Sequence, residues 1–164
     1  ELDNLLFYVN DTANGLGNKF GILYDDVALL NLHGEMSYSF SDKIKLMLLG
    51  DIYQYKMDKQ DKPWHKPGYE IALLASYNLK EKIIARADIF AIGGAYAREY
   101  DASGSPVAVK LRSVADLNLE LEYRYTKKLS VYLKLNNITA QRYYRWNQYP
   151  TMRFSLLGGL TYIF

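Results

Sequence analysis

The sequence predicts an all-β fold: an antiparallel up-and-down transmembrane β-barrel, with about eight strands present and the rest of a larger barrel outside this chain. Three observations predict it. Apolar and polar residues alternate with period two from Val27 to Phe164, while helical periodicity is nearly absent. Tight polar turns alternate with long linkers. Aromatic residues recur on the apolar face at the short-turn end of the descending strands.

The first element, residues 5–9, alternates poorly, and a linker over 11–26 carrying Gly15 and Gly17 follows it. The clearest strand covers 30–40. Leu30, Leu32, Gly34, Met36, Tyr38 and Phe40 form one face, and Asn31, His33, Glu35, Ser37 and Ser39 the other. After the turn Ser41-Asp42-Lys43, Ile44, Leu46, Leu48, Gly50 and Ile52 continue the apolar face less cleanly, because Met47 and Leu49 sit opposite. A linker over 57–67 precedes the next strand, in which Tyr69, Ile71, Leu73, Ala75 and Tyr77 oppose Glu70, Ser76 and Asn78.

The turn Lys80-Glu81-Lys82 leads to Ile83, Ala85, Ala87, Ile89 and Ala91, set against a face with Arg86 and Asp88. Beyond a linker over 97–110, Leu117, Leu119, Leu121, Tyr123 and Tyr125 oppose Asp116, Asn118, Glu120, Glu122 and Arg124. The turn Thr126-Lys127-Lys128 opens a strand in which Leu129, Val131, Leu133 and Leu135 oppose Ser130, Tyr132, Lys134 and Asn136. A linker over 139–150 then leads to Phe154, Leu156, Gly158, Leu160, Tyr162 and Phe164. Such strands match the roughly 9–11 residues a tilted strand needs to cross a bilayer.

Alternation alone leaves open which face is wet, since a soluble lipocalin-like barrel turns its apolar face inward. The aromatics favour the inverted arrangement. Tyr38, Phe40, Tyr77, Tyr123, Tyr125, Tyr162 and Phe164 share the apolar side at one rim, as a girdle at a membrane interface does. The opposite face carries mixed charge, which suits a polar lumen. Short turns mark the periplasmic rim, so both chain ends are expected there and the long linkers outside the cell, in a bacterial outer membrane with lipid as a partner.

Composition narrows the function. Hydrophobic residues are 49% and charged residues 23% of the 164, so a hydropathy scan alone reads the chain as soluble. Aromatics reach 15%, with 16 Tyr among them. Cysteine is absent, excluding disulfides and cysteine metal sites, and a net charge of +2 gives no sign of nucleic acid as a partner. The start, Glu1-Leu2-Asp3, suggests a processed or truncated product.

Catalytic chemistry has little support. His33 and Glu35 share a face and could form a general-base pair, but no motif places a nucleophile, so a histidine in a polar lumen network is the plainer reading. His65, in Lys62-Pro63-Trp64-His65-Lys66-Pro67, is isolated, and no metal site or cofactor is expected. Asp116, Glu120 and Glu122 could form a cation ladder; neutralisation by Arg86, Arg124 and Lys134 is the alternative preferred here. Gly15, Gly17, Gly93 and Gly94 read as bends or loop residues without phosphate-loop spacing. The segment 141–149 interleaves aromatics with Arg. Tyr144, Arg145 and Trp146 are the candidate contacts for a small-molecule or glycan ligand, against the alternative of an aromatic belt.

The ending Leu156, Gly158, Leu160, Tyr162, Phe164 resembles the C-terminal signature of outer-membrane barrels, which implies recognition of Tyr162 and Phe164 by the barrel-assembly machinery. Leu135-Asn136-Asn137-Ile138, then Tyr143-Tyr144, then residues 154–164 are similar to the last two strands of TonB-dependent receptors. Met152-Arg153 stands where that family usually has Gly-Arg. The resemblance implies a barrel of about 22 strands with a plug. Residues 1–164 would then be one barrel segment without the plug, coupled to TonB through a plug outside this chain, and would bind and pass a nutrient without covalent chemistry. Two alternatives remain open. One is a complete eight-stranded barrel with a structural, adhesin or lipid-modifying role, against which the irregular first strand argues; the other is the soluble ligand-binding barrel.

Overall fold

A computed structural model describes residues 1–11 and 19–164. Its strands in chain order are β1 (Leu2–Asn10), β2 (Phe20–Phe40), β3 (Ile44–Met57), β4 (Tyr69–Leu79), β5 (Ile83–Gly93), β6 (Tyr96–Tyr100), β7 (Pro106–Lys110), β8 (Val114–Arg124), β9 (Leu129–Asn136), β10 (Tyr144–Trp146), β11 (Tyr149–Pro150) and β12 (Ser155–Tyr162). Eight of them form one antiparallel sheet, ordered β1-β2-β3-β4-β5-β8-β9-β12. The pairs β6–β7 and β10–β11 are separate hairpins within the long-loop rim.

The expected strands and turns are present, and the differences lie at the loop rim. β2 begins at Phe20, so much of the expected 11–26 linker is strand. Gly15 and Gly17 lie outside the described residues. The expected linker over 97–110 is largely the hairpin β6–β7, and that over 139–150 contains β10–β11. These strands, of five, five, three and two residues, are too short for a period-two pattern to stand out.

The sheet is open. β1 pairs only with residues 20–27 of β2, so β2 below Val27 is an edge, and β12 is the other edge. Neither the closed eight-stranded barrel nor a soluble barrel with an apolar interior is formed. The face bearing Leu30, Leu32, Met36, Ile52, Ile71, Leu121, Val131, Leu156 and Leu160 stays bare, these side chains being 48–69% exposed. Each large apolar side chain contributes about 1.5–3 kcal/mol when removed from water. A band of them on one face is tolerable only against lipid or a partner of equal apolarity.

The opposite face holds the charges. Arg86 Nη1 donates to Glu120 Oε1 at 2.6 Å and Lys134 Nζ to Glu120 Oε2 at 2.8 Å. Arg124 Nε donates to Glu122 Oε1 at 2.9 Å. Register explains the first pairs: Arg86 and Lys134 both stand directly opposite Glu120 on flanking strands. The expected neutralisation therefore holds for Glu120 and Glu122, while Asp116 has a different partner, described below. His33 meets Asp51 on β3, with Nδ1 and Oδ1 2.9 Å apart, instead of Glu35. Cross-strand neighbours approach more closely than residues two apart on one strand, which is why Asp51 takes the imidazole.

Two glycines face tyrosines across the sheet. Gly93 stands opposite Tyr69 and Gly159 opposite Tyr132, and in each case the tyrosine ring occupies the space a Cβ would need. Gly94 has φ +78° and packs against the Gly68 backbone, so it is a loop residue as expected.

Candidate ligand-binding site

At the loop rim, segment 58–68 folds over the inner side of β1–β3. Phe7, Val9, Val27 and Trp64 form its buried core, with Leu5, Leu23, Tyr55, Met57 and Tyr96 packed around. Asp25 anchors the segment: its carboxylate accepts the backbone N–H of Lys59 at 3.0 Å and of Gln60 at 2.7 Å. Burial works against that carboxylate's charge, but these amides and that of Asp26 hold its pKa below the ordinary value. Trp64 Nε1–H donates to Gln60 Oε1 at 3.1 Å, and Trp64 forms a parallel bridge with Tyr96.

His65 is buried, at φ 58°, and its N–H donates to the Tyr96 carbonyl at 2.8 Å. Its Nδ1 lies 2.9 Å from the Tyr8 carbonyl and its Nε2 3.1 Å from the Asn147 N–H. A carbonyl only accepts and an amide only donates, so the ring is the neutral tautomer with its proton on Nδ1. Burial lowers its pKa, partly opposed by the Tyr8 carbonyl.

The hairpin β10–β11 turns at Gln148, φ 67°, and is fastened at its base by Asn137. Asn137 is buried; its Nδ2 donates to the carbonyls of Gln141 at 2.9 Å and Met152 at 3.1 Å, and its Oδ1 accepts the Gln141 N–H. Tyr143 O–H donates to Asp116 Oδ2 at 3.2 Å, and burial together with that carboxylate raises the phenol's pKa. The second Asp116 oxygen is buried with no hydrogen-bond partner among the described residues. Asp116 is thus held by a tyrosine on a loop, not by one of the basic residues expected for it.

Together these segments line a cavity of about 540 Å³, with Tyr8, Trp64, His65, Lys66, Glu70, Arg112, Tyr143, Tyr144, Arg145 and Trp146 among the residues around it. The three residues singled out in the sequence, Tyr144, Arg145 and Trp146, therefore all line it. Trp146 also makes edge contacts with Tyr8 at 5.6 Å and Phe20 at 5.9 Å, so it serves the aromatic cluster as well. The lining carries three permanent cations, Lys66, Arg112 and Arg145, and one carboxylate, Glu70. Such a site suits an anionic ligand with flat or apolar parts. His65, which helps organise it, is invisible to local patterning because its partners Tyr8 and Asn147 are remote in sequence. Tyr162 and Phe164 pack edge to face at 5.1 Å at the opposite rim. Among the described residues no three metal-capable side chains converge.

The open antiparallel sheet, apolar on one face and charged on the other, with short turns at one rim and a ligand-sized cavity at the other, is a length of transmembrane barrel wall. The sequence matches no family model and no curated protein. Solved structures match the fold over nearly the whole chain. The pyoverdine outer-membrane receptor FpvA from Pseudomonas aeruginosa PAO1, bound to pyoverdine, superposes with a TM-score of 0.74 at 15% identity, over 99% of this chain and 26% of the receptor. FpvA in complex with pyocin S2 gives 0.74 at 14%, over 98% and 22%. The ferric enterobactin receptor PfeA of the same organism gives 0.63 at 16%, over 87% and 22%. The fold is that of a portion of a TonB-dependent receptor barrel, and the chain spans about a quarter of the length of the receptors it matches.

Proposed function

We propose that this chain is part of the barrel wall of a bacterial outer-membrane receptor for TonB-dependent nutrient uptake, and that the loop-rim cavity helps bind the incoming ligand. Residues 1–164 form one barrel segment in this reading, with the plug and its TonB contact elsewhere in the polypeptide. Insertion uses the barrel-assembly machinery acting on Tyr162 and Phe164. The chemistry is binding and passage without covalent turnover. The observation that carries the reading is the cavity itself, which Tyr144, Arg145 and Trp146 line together with Arg112 and Lys66 at the long-loop rim.

The matched receptors bear siderophore names, so ferripyoverdine and ferric enterobactin are the first probes. Replacing Tyr144, Arg145 and Trp146 together by Ala in the full-length protein should weaken binding of the better probe by at least about tenfold, the usual scale for aromatic and Arg anchors. Unchanged affinity and uptake would remove the site from the proposal. A native polypeptide mass near 18.9 kDa would remove the receptor reading altogether.

A further inference from the structure

The three short turns share a device that crossing a bilayer does not require. Lys43, Lys82 and Lys128 each stand immediately before a strand, ahead of Ile44 of β3, Ile83 of β5 and Leu129 of β9. Each lysine carbonyl accepts an N–H from the end of the strand beside it: Asn78 at 2.7 Å, Arg124 at 2.8 Å and Ile163 at 2.8 Å. β3, β5 and β9 are two strands apart in the sheet, so these lysines recur about every 10 Å along the rim. Lys80 and Lys127, in the same turns, thicken the row.

Lys80, Lys82, Lys127 and Lys128 line a cavity of about 1020 Å³ that also takes in Glu120 and Lys134 of the inner face. The lining holds six cations and three carboxylates, so it is cationic. Lys134 and Arg124 are matched by Glu120 and Glu122. The four turn lysines are exposed, and among the described residues none of them has an ion pair. Tyr132, Leu157 and Ile163 add an apolar patch, with Leu157 and Ile163 52% and 60% exposed.

The loop-rim cavity has the same character: Lys66, Arg112 and Arg145 outnumber Glu70 beside several aromatic rings. Between the two cavities the inward cation Arg86 is held by Glu120. Glu35 and Asp88, also inward, are carboxylates without an ion pair among the described residues. Unmatched cations thus occur toward both ends of the inner wall and not along its middle.

We propose that the short-turn rim carries a second, exit-side binding site for the anionic solute taken up at the loop rim. Its anionic groups pair with the lysine row, and its flat or apolar part rests on Tyr132, Leu157 and Ile163. Rings of Lys or Arg serve anion pathways, in which binding must be favourable enough to enter and weak enough to leave. A lipid is disfavoured as occupant because the cavity lies on the charged face, away from the apolar band. The inference rests on the receptor reading of the loop-rim cavity.

The test is equilibrium dialysis of the full-length protein in detergent against ferripyoverdine, ferric enterobactin (a polyanionic catecholate chelate) and a neutral ferric trihydroxamate. The unsubstituted protein should bind two equivalents of the better anionic probe, one tightly and one weakly and salt-sensitively. Replacing Lys80, Lys82, Lys127 and Lys128 together by Gln should weaken the second at least about tenfold and leave the first unchanged. Lys82→Arg with Lys128→Arg should retain both. The Ala variant of Tyr144, Arg145 and Trp146 should weaken the first and spare the second. Retention of the first equivalent and heat-dependent gel mobility show that the lysine variants are folded. A single equivalent in the unsubstituted protein would overturn the exit site and leave the loop-rim reading standing, the lysines then being occupied by acidic groups elsewhere in the polypeptide. A second equivalent indifferent to the lysines, or shared by the neutral chelate, would overturn it equally. Binding of neither anionic probe would reject the loop-rim reading itself, and the exit site with it.

Discussion

His65 sits between Pro63 and Pro67 in the sequence and gives no local sign of its role; its partners Tyr8 and Asn147 lie 57 and 82 residues away. The neutral ring ties the 58–68 segment and the β10–β11 hairpin to the first strand, with Trp146 at 5.3 Å from it. The charged groups lining the same cavity are Lys66, Glu70, Arg112 and Arg145, and Asn147 Nδ2 donates to Glu99. Burial keeps the folded-state pKa below the ordinary 6.5, so the open state binds the proton more readily. The latch is therefore at full strength above about pH 6.5 and weakens as pH falls from there toward the lowered value. Hydrogen exchange at the Asn147 amide, corrected for its intrinsic pH dependence, should show more frequent opening at pH 5 than at pH 7.5. With His65→Gln the dependence should vanish; an unchanged pH profile would rule the imidazole out. Tyr144, Arg145 and Trp146, which line the cavity, stand out in sequence by residue type, whereas Asn137 and His65 act through geometry that residue type does not encode.

Among the elements, the membrane-crossing strands are legible because lipid on one side and charge on the other impose alternation. The extension of β2 down to Phe20 is obscured by the adjacent Asp25 and Asp26, one turned inward to the 58–68 segment and one outward to Lys59. The short turns are recognisable by polarity, but their backbone cost is not. Lys80 and Glu81 have φ 51° and 58°, with Lys82 N–H donating to the Leu79 carbonyl at 3.0 Å. That is a type I′ arrangement, which Asn-Gly adopts with least strain. Asn78 Oδ1, accepting the Glu81 N–H at 2.9 Å, offsets part of the cost. Lys80→Asn with Glu81→Gly should stabilise the barrel by about 1 kcal/mol, read as a shifted urea midpoint in lipid or detergent. A destabilised variant would show that the two side chains make contacts worth more than the strain.

At the scale of the molecule, the sheet ends in two bare edges: β2 below Val27 and the outer side of β12. Unpaired N–H and C=O groups at membrane depth cost several kcal/mol each, so the wall needs further strands to be stable in lipid. The 164 residues expressed alone and refolded in detergent should give aggregates, with no heat-modifiable monomer on a gel. A discrete monomer that changes mobility on boiling would mean that the segment closes on itself. The eight strands are legible as alternating segments, while closure is left open by the sequence, the irregular first element being the one argument against it. The cavity is not legible in the sequence, because it depends on β1 and the segments that follow β3, β5 and β9 meeting at one rim.

The strand order has a kinetic consequence. Along the main sheet each strand lies beside the next main-sheet strand in the chain, and the two interruptions, β6–β7 and β10–β11, are hairpins complete in themselves. Every step of growth therefore joins neighbours in the chain, three of them across tight turns where the entropy of closure is small. Assembly can proceed like a zipper, with the newest edge as template for its successor. A ring completed from such a wall would add one distant encounter, between its first and last strands, and that step would carry the largest closure entropy.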